Sequence, residues 1–380
     1  MSNRVAVVGV SQTHHGSFLQ DNVRDMVYGL VRNVLDPLGL CREDIDTVVS
    51  ASSDYWMGIS CSNSYYFDAE GAYLKNATKA PEDGALAFCY AVMRVLSGLH
   101  RTALVVGVTK GSEIPSYAAL TNLYGDPFFQ RPVGLNETSA AALQAQAYKD
   151  RYGLEEAHLA HVVIKNLGHA LKNPYAHRKG LLSVEEVLAS QVVAYPLRRL
   201  DCAEPSDGAC VMLLACEEVA RELTHRPAWV RGMGWSTESH WFGDRDLLGG
   251  SLRGAAAMAY DMAGIRDPRV EIDVAEVCEP TSFQELLWCE QLGLCEAGQA
   301  GKLAAAGAFS LGGRLPVNPS GGVLATHPYV ARGLLRIAEA ALQVKGEAGE
   351  HQAAGARTAL AHSTHGPGGQ SHTVVLLGVG

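Results

Sequence analysis

The chain is expected to adopt an α/β fold in which two pseudo-repeated β-α-β-α-β halves form a layered core, with a loop-rich lobe inserted between them. Three observations support this. A unit of amphipathic helix, glycine turn and buried strand occurs twice, around residues 21–50 and 253–279. A second helix–strand unit follows each copy in the same order, at 84–108 and 321–365. Between the copies, residues 111–200 lose both periodicities and fill with Tyr, Asn, Pro and His. At 380 residues and 47% apolar content the chain can bury a large core in two similar lobes.

The elements follow in order. Val5-Ala-Val-Val-Gly-Val10 reads as a buried strand and is too short for a signal peptide's apolar region. Val23, Met26, Val27, Leu30, Val31 and Val34 share one helical face, Gly39 turns the chain, and Asp44-Ile-Asp-Thr-Val-Val-Ser supplies a strand. The helix from Gly84 leads into Thr102-Ala-Leu-Val-Val-Gly-Val. Residues 208–218 form a core strand that closes this half. In the second half a helix through Ala257, Tyr260 and Met262 reaches Gly264, and Glu271-Ile-Asp-Val-Ala-Glu-Val-Cys-Glu repeats the strand. Gly321 to Gly346 then leads into Thr358-Ala-Leu-Ala-His-Ser-Thr-His. This assigns residues 1–110 and 201–231 to the first half, 111–200 to the inserted lobe and 232–380 to the second half. Gly232 to Leu252, with Trp235, His240, Trp241 and Arg245, reads as an irregular stretch suited to a bulky ligand.

A net charge of −9, without any Lys/Arg-dense run, argues against nucleic acid or an anionic membrane as the main partner. No apolar run is long enough to span a bilayer. Nine cysteines with no C-x-x-C pair indicate neither a disulfide framework nor a zinc site, and suit the reducing cytoplasm. His158 and His161 lack further nearby ligands and read as a solvated helix face, so no metal is expected.

The chemistry concentrates in Asn318-Pro-Ser-Gly-Gly-Val-Leu-Ala-Thr-His-Pro-Tyr329, where a glycine turn delivers His327 to the mouth of a helix. Its counterpart in the first half is Lys79-Ala-Pro-Glu-Asp-Gly84, so both loops are expected to face one pocket between the halves. Ser363-Thr-His365-Gly-Pro-Gly-Gly369 ends a strand in a glycine nest suited to an oxyanion. Two imidazoles at one mouth would pass protons near neutral pH. Tyr55 and Trp56, after the strand ending at Ser52, either line an acyl pocket or pack in the core.

Together the duplicated halves, Glu276-Val-Cys-Glu-Pro-Thr-Ser-Phe, the Gly-Gly…His-Pro turn and His365-Gly-Pro-Gly-Gly resemble the thiolase superfamily, above all thiolases of the sterol-carrier-protein-x type. The resemblance covers nearly the whole chain. It implies an αβαβα thiolase fold, a homodimer, and carbon–carbon chemistry on a CoA thioester, with coenzyme A as substrate and no tightly bound cofactor. Carried over, His327 matches the Gly-His-Pro histidine, with Thr326 in place of its glycine. Cys278 stands where Asn or His is expected, Glu279 matches the neighbouring acid, and His365 stands where a second cysteine is expected.

The nucleophile is missing. Counting back from Gly98 places its position at Pro81, which has no nucleophilic atom. Thr78 would be a weak substitute, Cys89 lies inside the helix among apolar residues, and Glu82 or Asp83 is either a base at the vacant position or a first-turn acid. The pattern is therefore also similar to superfamily members paired with a zinc-ribbon/OB-fold subunit, such as steroid side-chain retro-aldolases and benzoylsuccinyl-CoA thiolase. The resemblance implies His327, His365 and Cys278 as catalytic residues, and Gly321, Gly322, Tyr329, Gly366, Gly368 and Gly369 as substrate-binding. Three activities stay open: thiolysis of a β-ketoacyl-CoA, with direct attack by CoA and a bulky or aromatic acyl group; retro-aldol cleavage of a β-hydroxyacyl-CoA; and a non-catalytic scaffold subunit.

Overall fold

A computed structural model describes residues 4–81 and 83–380; Glu82 lies outside the described residues. The first half runs β1 (Val5–Gln12), α1 (Val23–Leu35), β2 (Thr47–Ser52), β3 (Asn76–Pro81), α2 (Gly84–Leu96) and β4 (Thr102–Lys110). The lobe carries α3 (Tyr117–Asn122), α4 (Glu137–Tyr152) and α5 (Glu156–Ala170), after which β5 (Asp207–Cys216) returns to the sheet. The second half comprises β6 (Ala228–Thr237), α6 (Ser251–Ala263), β7 (Val274–Glu276), α7 (Ser282–Gln291), α8 (Gly322–Ala325), α9 (Arg332–Lys345), β8 (Thr358–His365) and β9 (Ser371–Gly378).

The strands lie in the order β3-β2-β4-β5-β1-β6-β9-β8-β7. β2 pairs parallel to β3 and β4 and is buried along its whole length, as a strand covered on both faces requires. The equivalent parallel pair in the second half joins β7 to β8. Among the described residues the two groups meet through two residue pairs, Ala6 with Trp229 and Val7 with Ala228. β6 thus straddles positions 231 and 232.

Three buried clusters define the layers. One packs α1 on β1, β2, β4 and β5. Another packs α5, α6 and α7 against strands of the second half. The central one holds α2 and α9 between strands of both halves, giving the order αβαβα. Every residue of α9 except Leu342 is buried, so its polar residues must find partners inside the protein. The starts of α2 and α9 touch: the Gly84 N–H donates to Val330 O at 3.0 Å, and a Cβ at Gly84 would lie 2.7 Å from Leu334 Cβ.

Two elements differ from the expectation. Gly232 to Thr237 is not irregular but forms most of β6. A Cβ at Gly232 would meet Ala259 O at 2.1 Å and one at Gly234 would meet Ala255 O at 2.2 Å, so glycines let α6 lie directly on the strand while hiding its apolar alternation. The helix expected from Gly321 is broken between Ala325 and Arg332, where Pro328 constrains the chain, and His327 sits in that break. Among the described residues no helix is long and apolar enough to cross a membrane.

Candidate active site

The break between α8 and α9 is held by its own backbone and by buried acids. Asn318 adopts φ 53°, an uncommon conformation for a residue with a side chain. Its Oδ1 accepts from Val277 N at 2.7 Å and its Nδ2 donates to Glu285 at 2.8 Å, tying the turn to the end of β7. Glu279 accepts from Leu324 N at 3.1 Å and from Asn166 Nδ2 at 2.9 Å. Burial and then the neighbouring Glu285 carboxylate push its carboxyl up to about 8. Glu279 holds the turn. The glycines serve the same end: a Cβ on Gly322 would lie 2.0 Å from Glu279, and one on Gly321 would lie 2.8 Å from Ala170. Their close approach is to the protein itself.

His327 is 1% exposed. Its N–H donates to Ser206 Oγ at 3.1 Å and its carbonyl accepts from Ser206 N at 2.9 Å, which fixes the backbone from both sides. The ring Nε2 lies 3.3 Å from Tyr117 Oη, and Nδ1 has no hydrogen-bond partner among the described residues. Burial, reinforced by the Arg332 guanidinium, holds the imidazole well below its usual pKa, so it is neutral.

Behind His327 stands a buried ion pair. Arg332, the first residue of α9, donates to Glu137 Oε1 at 3.1 Å and to Thr364 O at 2.7 Å. Glu137, the first residue of α4, also accepts from Tyr329 Oη at 2.9 Å and, through its other oxygen, from Tyr117 Oη. The Arg332 guanidinium lies over the Tyr329 ring at 4.3 Å, and Trp56 stacks on Tyr329 with centroids 4.0 Å apart. Tyr329 is therefore packed against the chain rather than presented to a ligand; Trp56 is buried beside it, whereas Tyr55 is exposed.

At the position opposite, Pro81 ends β3 and Asp83 caps α2. Asp83 Oδ1 accepts from Ala85 N at 2.9 Å and from Ser363 Oγ at 2.8 Å, and Oδ2 accepts from Thr373 Oγ1 at 3.3 Å. The same Oδ2 stands 4.0 Å from Nδ1 of His365, whose side chain is 22% exposed. A carboxylate and an imidazole thus face each other beside the missing nucleophile. Cys89 is fully buried and its thiol is pushed up by burial, so it offers no thiolate. Gly366, Gly368 and Gly369 approach Gln370, Phe242 and His372 respectively, so this nest too is filled by the chain's own side chains.

Cys278 is buried at the end of β7, with its thiol pushed up to about 11 by desolvation. Its N–H donates to His362 Nδ1 at 3.4 Å, and His362 Nε2 lies 2.9 Å from His372 Nδ1. Since Nδ1 of His362 accepts, its Nε2 carries the proton and donates to His372. Burial leaves both rings neutral, His372 down at about 3. Of the expected site residues, His327, His365 and Cys278 all gather around the start of α9. Tyr117, Glu137, Arg332 and the His362–His372 pair were missed. One signal was available: Arg332, Arg336, Glu339 and Gln343 form a polar stripe on a helix that the fold places in a central layer.

A sequence profile described as "Thiolase C-terminal domain-like" matches residues 234–378. The chain is 32% identical to the acetyl-CoA acetyltransferase of Methanothermobacter thermautotrophicus over 373 residues, which covers 96% of this chain and 97% of that protein. It is 31% identical over 296 residues to the benzoylsuccinyl-CoA thiolase subunit BbsB of Thauera aromatica, covering 77% of this chain and 76% of the relative. Among solved structures, the Ltp2-ChsH2(DUF35) aldolase superposes with a TM-score of 0.84 at 22% identity, covering 99% of this chain and 98% of that one.

Proposed function

The chain belongs to the thiolase superfamily of acyltransferases, and from that premise we propose that it makes or cleaves a carbon–carbon bond of a β-ketoacyl-CoA thioester without forming an acyl-enzyme. The observation that carries this reading is the pairing of Asp83 with His365 beside Pro81, with Cys89 buried and inert. In the cleavage direction, one imidazole of the pair His327 and His365 accepts the proton of the CoA thiol as sulfur attacks the β-keto carbon. The other donates to the oxygen that becomes negative. When the carbon–carbon bond breaks, the carbonyl re-forms, that oxygen returns its hydrogen bond, and the accepted proton passes to the enolate carbon. The products are two thioesters, and atoms and charge balance. Cys278 stays a buried, neutral thiol near Arg332.

A cavity of about 620 Å³ lined by Tyr55, Trp56, Ile59, Tyr65 and Ile114 has the size for a bulky or aromatic acyl group. A homodimer through the free edge of β3, where Tyr73, Leu74 and Leu99 are exposed, belongs to the same reading, as does a zinc-ribbon/OB-fold partner subunit in a reducing cytoplasm. The carboxylate–imidazole pair also favours a second reaction, retro-aldol cleavage of a β-hydroxyacyl-CoA, which needs a base for the hydroxyl proton but no nucleophile.

The test is incubation of the purified chain, alone and with a co-produced partner subunit, with short and aromatic β-ketoacyl-CoA or β-hydroxyacyl-CoA, with and without free CoA. CoA-dependent loss of the β-ketoacyl substrate is expected, with no acyl adduct by intact mass. Loss of the β-hydroxyacyl substrate without CoA selects the retro-aldol reaction. An acylated cysteine, or His327→Ala and His365→Ala variants with unchanged turnover, overturns the reading.

A further inference from the structure

We infer that Glu137, held in place by Arg332 and Tyr329, is a positioning residue that acts through Tyr117 to fix His327 in its Nε2–H form and leave Nδ1 as the reacting atom. This rests on the proposed function and deepens it by assigning His327, rather than His365, as the proton acceptor.

The protons follow from the hydrogen bonds. Arg332 and Glu137 are both almost fully buried and face each other at 3.1 Å, and both carboxylate oxygens accept hydrogen bonds. Tyr329 donates to Oε1 and Tyr117 to Oε2. Burial, and then the carboxylate itself, raise the Tyr117 phenol well above its usual pKa, so its proton stays on and points at Glu137. What the Tyr117 oxygen then offers His327 is a lone pair. Nε2 of His327, 3.3 Å away, must carry the hydrogen to use it. A neutral imidazole has one N–H, so Nδ1 is a bare lone pair. Nδ1 is also the ring atom that has no hydrogen-bond partner among the described residues. The backbone of His327 is clamped by Ser206, which fixes where the ring enters the site. A base with one ring nitrogen unpaired and its opposite N–H anchored by a carboxylate-backed donor is an arrangement suited to proton abstraction.

The experiment reads the tautomer first, in the full-length protein without substrate. Uniform 15N-histidine labelling, with His327→Gln identifying the resonances, is expected to show His327 as Nε2–H at neutral pH. Tyr117→Phe preserves shape and the Arg332–Glu137 pair, so it should fold. It is expected to mix the two tautomers and to lower kcat about a hundredfold, with KM changed less than about threefold. Glu137→Gln should do the same, because its amide can donate to Tyr117 and reverse the chain of donors. An Nδ1–H tautomer in the unaltered protein overturns the inference, as does a Tyr117→Phe variant with unchanged tautomer and kcat. If the tautomer is found as expected but no thioester is turned over, the proposed function fails and the assignment of His327 stands.

Discussion

Gly333 sits in the first turn of α9, where an added methyl group separates two opposing effects. In an isolated helix, Gly→Ala stabilises by about 0.5–1 kcal/mol, because alanine loses less backbone freedom. In this protein a Cβ at Gly333 would lie 2.1 Å from Ser363 Oγ, 2.4 Å from Asp83 Oδ1 and 2.7 Å from Ser363 Cβ. Ordinary contacts between such atoms lie at about 3.5 Å, so the neighbours must yield by more than about 1 Å. If Ser363 turns away, its 2.8 Å hydrogen bond to the buried Asp83 carboxylate is lost, at about 1–3 kcal/mol. If α9 shifts instead, the over-packed central layer costs a similar amount, about 1–3 kcal/mol. Either route outweighs the helix gain, and Gly333→Ala should destabilise by about 1–3 kcal/mol in urea unfolding. The same shift moves Asp83 relative to His365, and a displacement of about 1 Å at a site costs on the order of a hundredfold in turnover. Gly29→Ala is the control: it lies in α1 with nothing within 4 Å of a new Cβ, and should be neutral or stabilising. If Gly333→Ala is as stable and active as Gly29→Ala, the close packing of α9 on Asp83 and Ser363 is refuted.

The Arg332–Glu137 pair is tested by a double-variant cycle: Arg332→Met and Glu137→Gln should each cost about 3–5 kcal/mol, and the double variant should cost at least about 1 kcal/mol less than their sum. Strict additivity would show that the two charges do not depend on each other. Alkylation at pH 8 followed by peptide mass mapping should label exposed Cys61 while sparing Cys89 and Cys278, the latter raised to about 11, with activity retained. Inactivation through Cys89 would restore an acyl-enzyme mechanism. Glu70 is buried, accepts from Ser50 at 2.7 Å, and is pushed up to about 8 by desolvation. Its folded pKa lies above the unfolded value, so its contribution is complete below about pH 4.5 and is lost as pH rises towards 8, at about 1.4 kcal/mol per unit. Glu70→Gln should therefore shrink the stability difference between pH 5.5 and pH 8 by about 3 kcal/mol, and an unchanged difference would show that Glu70 titrates normally.

The repeat was legible in the sequence because both its helices and its turns follow local rules. α1 and α6 each carry an apolar face and are followed by a glycine with positive φ, Gly264 directly after α6 and Gly39 after the short 3-10 turn Asp36–Leu38 that continues α1. β6 was illegible for the opposite reason, since Gly232 and Gly234 replace the apolar residues that mark a strand. At the site, His327 and His365 could be located from the turns around them, but the glycines of those turns fit Glu279, Phe242 and His372 rather than a ligand. From the sequence Asp83 was either a base at the vacant position or a first-turn acid of the helix. It is a cap, and its second role arises from Ser363, Thr373 and His365, which approach only when the halves dock. Arg332 and Glu137 are 195 positions apart, and no local spacing announces their pairing.

The two sides of the site are also far apart in the order of synthesis. Asp83 and Ser363 stand 280 positions apart, an interval that a ribosome adding about 5–20 residues per second crosses in tens of seconds. Throughout that interval α2 has emerged without α9, and the apolar face they will share has nothing to cover it. Nascent chains arrested before residue 332 would expose that face to chaperones and carry no assembled site. Catalytic competence in this protein is among the last things its translation produces.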